Sequence, residues 1–321
     1  MWIGGANDCG LVHALTEIVL EVTRIGAISR IDIEITGKLE ATLRFKGSLP
    51  AEITLNLSTQ VVPADQNFDA PLFSIAIANA LCVECDVDWN HQNLRSKATY
   101  SRGMITSPIC PSAVESSDQL IIRLRFDDEI FAPPTQLYFL TMCARTQELA
   151  IFNPQTVFNV VSRVENLSRQ YHYVDGFKSY LPEMAYHYFD SSKSIIHLKL
   201  QEGDASAECV IYPLHCSIVR SFANQRQTLK HGSHVAGFKR AYRKVAKEFR
   251  DGDFVRMWPG QRDVLEGMAL LIAVQLPDPR FGGATRDQLL DQKAEQLVYR
   301  MVKEKLPEEL RKISDRQANP R

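Results

Sequence analysis

Residues 231–250 read HGSHVAGFKRAYRKVAKEFR, and their pattern decides how the second half of the chain folds. Val235, Phe238, Tyr242, Val245 and Phe249 recur at three- and four-residue spacing, the period of one helix face. Ser233 stands where an N-cap belongs. Lys239, Arg240, Arg243, Lys244, Lys247 and Arg250 lie away from the apolar stripe, which makes a basic amphipathic helix. From Arg220 to Arg250 there are nine Lys or Arg and one acid, Glu248. Such a stripe has two readings: a solvated face, or a surface that neutralises phosphates without reading sequence.

Outward from this helix the chain alternates between strand and helix patterns. Ile195–Leu200 and Glu208–Tyr212 read as strands joined by a turn at 201–206. Leu270–Leu276 is a further strand, followed by a turn at Pro277–Gly283. A long charged helix is expected from about Arg286 to Lys312, with Thr285 and Gln288 fitting a capping box. Upstream, Leu11, Leu15, Ile18, Val22 and Ile25 mark a first helix. Ile31, Ile33 and Ile35 alternate with Asp32 and Glu34, the pattern of a half-buried strand. Strand-like runs follow at Ala41–Phe45, Ile53–Leu57, Cys82–Trp89 and Leu120–Phe126, with a helix near Leu72–Leu81. Pro133 and Pro134 break the chain before a helix from about Gln136 to Phe152, and the aromatic run Tyr180–Tyr188 is ambiguous. The order implies two α+β domains in series, residues 1–168 and 169–321.

Composition sets outer bounds. The 321 residues are 45% hydrophobic and 23% charged, with a formal net charge of −1, which excludes global disorder. That balance gives no overall pull toward nucleic acid, so any basic surface is local. No stretch approaches the ~18 apolar residues of a membrane span. Seven cysteines, and an N-terminus without signal-peptide character, suit a reducing cytoplasm. Cys82 and Cys85 form a lone CxxC pair on a strand, where residues three apart face opposite ways, so they read as buried thiols rather than zinc ligands. His231 and His234 flank a helix start with no third ligand nearby in sequence, so no metal is expected.

Four runs carry a resemblance. YHYVDGFKSYL at 171–181, HGSHVAGFK at 231–239, RDVLEGM at 262–268 and VQLPDPRFGG at 274–283 resemble, in order and spacing, segments of the ATPase subunits of bacterial type IIA DNA topoisomerases, the B subunits of DNA gyrase and topoisomerase IV. Met1–Gly4, Asp127–Phe131 and Glu148–Asn153 match more weakly. The resemblance implies a degenerate GHKL-type ATPase sandwich followed by a transducer domain of the ribosomal-protein-S5 domain 2-like type. In that family ATP and magnesium bind the first domain, and two subunits close around DNA.

Carried over residue by residue, the resemblance puts Glu17 at the general-base position and Glu21 where the family has its magnesium-holding Asn. Read without it, Glu17, Glu21 and Arg24 are a solvated ion-pair face at helical spacing. The adenine-reading Asp has no counterpart in the run from Arg44 to Pro50. The family's lid cradles phosphates with glycines, whereas this chain has none between Ser48 and Arg102, and the lid position, 63–74, reads PADQNFDAPLFS. Thr285 and Arg286 fall on the loop where a family lysine reaches the terminal phosphate, and Arg286 keeps the positive charge. Glu202-Gly-Asp204 and Asp86-Val-Asp88 look like acidic runs of the topoisomerase cleavage domain in reversed order, and the former reads better as a hairpin turn.

The expectation is a non-hydrolysing gyrase B-like module with no bound cofactor, whose partners are DNA, a topoisomerase subunit or a second copy of itself. The alternative is an active ATP-dependent topoisomerase subunit with a rebuilt pocket. A transducer-derived interaction domain with no DNA role is a third reading.

Overall fold

A computed structural model describes residues 5–49, 73–91, 93–107, 112–113, 117–248, 264–283 and 286–318. The strand expected at Ile53–Leu57, the lid run as far as Leu72, Thr285 and Arg250 lie outside the described residues. The fold is α+β, in two compact units: Met1–Val174 and Asp175–Arg321.

The first unit is built on α1 (Asp8–Ile25), β1 (Ala27–Gly37), β2 (Glu40–Ser48), α2 (Phe73–Ala80), β3 (Cys82–His91), β4 (Leu94–Ser101), β5 (Met104–Ser107), β6 (Ser112–Ala113), β7 (Gln119–Phe126), α3 (Phe139–Phe152), β8 (Val157–Ser162) and β9 (Leu167–Tyr171). Its nine-stranded sheet runs β5-β4-β3-β7-β2-β1-β8-β9, with β6 beside β4. Only the β1–β8 pair is parallel among these neighbours. Alternation decides the layers. Ile31, Ile33, Ile35, Leu43, Phe45, Ile122 and Phe158 are buried toward the helices, while Arg30, Asp32, Glu34, Arg44 and Arg123 fall on the opposite face. A division after residue 168 would cut β9, whose residues Leu167–Tyr171 pair with β8.

Helix starts differ from the sequence pattern where caps differ. Helix α1 begins at Asp8 because the Asn7 side chain accepts from the Gly10 amide at 3.0 Å. Helix α3 begins at Phe139, three residues later than its periodicity suggests. Glu165 Oε2 accepts from the Phe139 amide at 3.0 Å, and Asp8 Oδ1 holds the Gln136 amide at 2.8 Å in the extended lead-in.

The second unit carries α4 (Phe177–Met184), β10 (Ile196–Glu202), β11 (Ala205–Pro213), β12 (Ile218–Ala223), β13 (Arg226–Gln227), α5 (Ser233–Glu248), β14 (Met268–Gln275) and α6 (Gln292–Ala318). The sheet order is β10-β11-β14-β12-β13. Helices α5 and α6 cover one face, burying Val235, Phe238, Leu297 and Met301 against Cys209, Ile211, Leu270 and Ile272. The ring of Phe177 in α4 approaches that of Phe222 in β12, with centroids 6.1 Å apart. Strand β14 is buried through seven of its eight residues, the continuous apolar run of a strand covered on both sides.

The capping expectations for the last two helices are corrected. Helix α6 starts at Gln292, not near Arg286. Asp291 Oδ1 accepts from the amides of Lys293 at 2.8 Å and Ala294 at 3.3 Å, so Asp291 is the cap. Residues 286–291 instead run as a loop bridged through Leu289 to Gly232 and Phe281. The hydroxyl of Ser233 serves the Asp291 amide at 3.0 Å rather than its own helix. Gly203, at φ 56°, forms the expected turn between β10 and β11.

Candidate functional site

Glu17 and Glu21 stand one turn apart on α1 and are each only 8% exposed. The solvated ion-pair face is therefore overturned. α1 is flanked by α2 and α3, and Arg24 is exposed with no carboxylate partner among the described residues. His13 Nδ1 lies 3.9 Å from Glu17 Oε1. Glu21 Oε2 accepts a hydrogen bond from the backbone amide of Ser74 at 2.8 Å in a buried contact.

Ser74 is the second residue of α2, so a carboxylate from α1 satisfies one of the orphan donors of the α2 first turn. A helix N-terminus is a natural seat for an anion, and here the chain supplies the anion itself.

Arg44, on the run where the resemblance would place the adenine-reading Asp, donates from Nη1 to Glu34 Oε2 at 2.6 Å on the sheet face opposite α1, α2 and α3. Gly47 in the same run has φ 142°, and a Cβ there would lie 2.3 Å from the Ala27 carbonyl oxygen, so the glycine serves the β1–β2 register. Cys82 and Cys85 are buried, and burial pushes both thiols up, that of Cys85 to about 12. The two thiols are therefore neutral.

In the second unit the basic residues lie along α5. Arg240 pairs with Glu295 of α6 at 2.9 Å and stacks over the Tyr299 ring at 4.5 Å. Lys244 lies 5.5 Å from the same ring. Together with Lys303, these cations lower the Tyr299 phenol below its ordinary pKa, the Lys244 hydrogen bond contributing most. Arg243 and Lys247 are exposed, with no ion pair among the described residues, and Lys239 is half-buried. Arg286 is in the left-handed region at φ 54°, its guanidinium 5.8 Å from the Phe281 ring centroid.

Behind the N-terminus of α5 lies a polar cluster that no sequence pattern disclosed. Ser221 Oγ is 2.8 Å from His231 Nδ1 and 2.7 Å from Thr228 Oγ1, and Thr228 Oγ1 is 3.4 Å from His234 Nε2. Ser221 and His234 are fully buried, so this is a locked joint rather than an exposed nucleophile. Burial, reinforced by the charge of His231, drives the His234 imidazole down to about 3.

With that geometry fixed, comparisons place the chain. A family model described as DNA gyrase B matches residues 176–319. The DNA gyrase B protein of Clostridium acetobutylicum is 26% identical over 348 aligned positions, which cover 95% of this chain and 52% of that one. The chain is similar to gyrase B. It spans about half the length of the curated relatives it matches.

The fold superposes on the 43K ATPase domain of Thermus thermophilus gyrase B with a TM-score of 0.79 at 20% identity, covering 98% of this chain and 88% of the other. The Francisella tularensis topoisomerase IV ATP-binding domain gives 0.72 at 17% identity, covering 99% and 89%. Within this gyrase B-like frame, Glu17 and Glu21 belong to the first unit, and the α5 stripe and Arg286 to the second. Among the described residues no helix is long and apolar enough to cross a membrane.

Proposed function

We propose that this chain is a gyrase B-like module that holds DNA or a topoisomerase partner and does not hydrolyse ATP. The observation that carries the reading is the Glu21 carboxylate, 2.8 Å from the Ser74 amide at the start of α2. A triphosphate arriving at that helix end would meet a buried negative charge already bonded to the donor it needs. The glycine-free run from 49 to 101 adds to this, because backbone amides wrap phosphates most readily where no side chain intervenes. The residues present therefore do not fit a magnesium nucleotide bound in the family's manner. Loss of positioning and charge stabilisation together removes most of phosphoryl-transfer catalysis.

The second unit supplies the surface for a polyanion. Arg243 and Lys247 project from α5 beside Arg240 and Lys244, with Glu295 the acid paired into the group. Contacts of this kind go to phosphates and carry no base information. A gel-shift series across salt concentrations tests the reading. Retardation that weakens steeply with salt is expected, with no change on adding ATP and magnesium. A flat salt response would remove DNA from the account, and ATP turnover lost in Glu17→Ala would restore the active-subunit alternative.

A further inference from the structure

The sheet face turned away from α1, α2 and α3 holds two open basins that differ in charge. The larger, of about 380 Å³, lies over β1, β2, β8 and β9 and sets Arg30, Arg44 and Arg163 against two acids, Asp32 and Glu34; Arg169, also on its rim, lies over the Tyr171 ring. The smaller, of about 310 Å³ over β2, β3 and β7, sets Arg123 and Arg125 against Glu40, Glu84 and Asp86. One basin therefore carries one excess positive charge and the other one excess negative charge.

The two carboxylates of the larger basin act as posts that orient its arginines. Glu34 accepts from Arg44 Nη1 at 2.6 Å and from Arg163 Nε, one on each carboxylate oxygen. These two arginines hold its pKa below the ordinary carboxylate value, so the post stays charged. Asp32 accepts from Arg30 Nε at 2.9 Å and from Asn159 Nδ2 at 2.6 Å.

Strand register makes this possible, because Asp32 sits opposite Arg44 on one side and Asn159 on the other. Among the described residues Arg30 and Arg163 each bond through Nε alone, which leaves their terminal N–H groups for a ligand. Arginine presents five donors in a planar fork that matches phosphoryl oxygens, and its charge does not titrate. Among the described residues no aromatic side chain lines the basin, so it offers no stacking platform for a base.

We infer that this basin is a seat for a phosphoryl dianion, on the opposite face of the sheet from Glu17 and Glu21. The inference does not depend on how the nucleotide question is answered. The ligand chemistry is shared by free phosphate compounds and by the phosphates of a nucleic-acid backbone, and the test separates them.

Pyrophosphate is titrated calorimetrically into the full chain, with chloride holding ionic strength constant. Saturable binding is expected, weakened about tenfold or more by Arg163→Gln, whose side chain is 69% exposed and whose replacement leaves the core intact. Arg30→Gln, also at an exposed side chain, serves as the second variant, and Arg125→Gln in the other basin as the control, expected to bind as wild type. A DNA duplex then competes: displacement of pyrophosphate assigns the seat to backbone phosphate, and independence assigns it to a free phosphate compound. No saturable binding, or a loss that Arg125→Gln reproduces equally, overturns the inference.

Discussion

At the scale of single residues, Glu21 and His234 carry the sharpest consequences. A carboxylate bonded to a helix N-terminus is a charge-assisted contact, so Glu21→Ala should destabilise the first unit by about 1–3 kcal/mol in denaturant unfolding. Glu21→Gln should recover part of that, because its amide oxygen still accepts from Ser74 while the charge is gone.

His234 gives a pH signature with a definite sign. Its imidazole sits at about 3 in the fold and near 6.5 when unfolded, so the unfolded chain binds the extra proton in between. Stability from this residue is therefore complete above pH 6.5 and declines by about 1.4 kcal/mol per pH unit as pH falls toward 3. Unfolding measured between roughly pH 7 and pH 5 should show that decline, and His234→Gln should flatten it.

Gly237 governs the scale of elements. A Cβ there would lie 2.3 Å from the Glu295 carbonyl oxygen, so this glycine lets α5 and α6 cross closely. Gly237→Ala should raise helix propensity yet lower the melting temperature, because backbone rather than a flexible side chain must give way. On the outer side of the same helix, Arg243→Ala and Lys247→Ala should each reduce the slope of log affinity for DNA against log salt by about 0.9 without changing sequence preference. Unchanged slopes would place the bound DNA elsewhere.

What the sequence disclosed about the elements follows from physics as well. Long apolar stripes, such as those of α1 and α5, were legible because a helix face repeats every few residues. Strands β4, β5 and β6 were not: β5 and β6 are only four and two residues long, and β4, though eight residues long, sets the polar, exposed Arg95 and Lys97 against the small Ser96 and Ala98. The start of α6 was misread because Thr285 and Gln288 mimic a capping box, while Asp291 holds the amides. The burial of Glu17 and Glu21 depends on α2 and α3, which no local pattern on α1 reports. The arginine basin was invisible for a related reason: Glu34 and Arg163 are 129 residues apart and meet only through the parallel β1–β8 register.

At the scale of the whole molecule, two units with separate cores carry separate chemistry. The first presents a helix end already occupied by its own carboxylate, and the second presents a basic helix. The architecture is similar to that of gyrase B, and the proposed silence toward ATP rests on Glu21 at the start of α2 and on the glycine-free run from 49 to 101. The most direct test is calorimetric titration of the full chain with a non-hydrolysable ATP analogue and magnesium. No saturable heat is expected up to roughly 1 mM nucleotide, a weak-binding bound that corresponds to about −4 kcal/mol. Saturable, magnesium-dependent binding that disappears in Glu17→Ala would contradict the account.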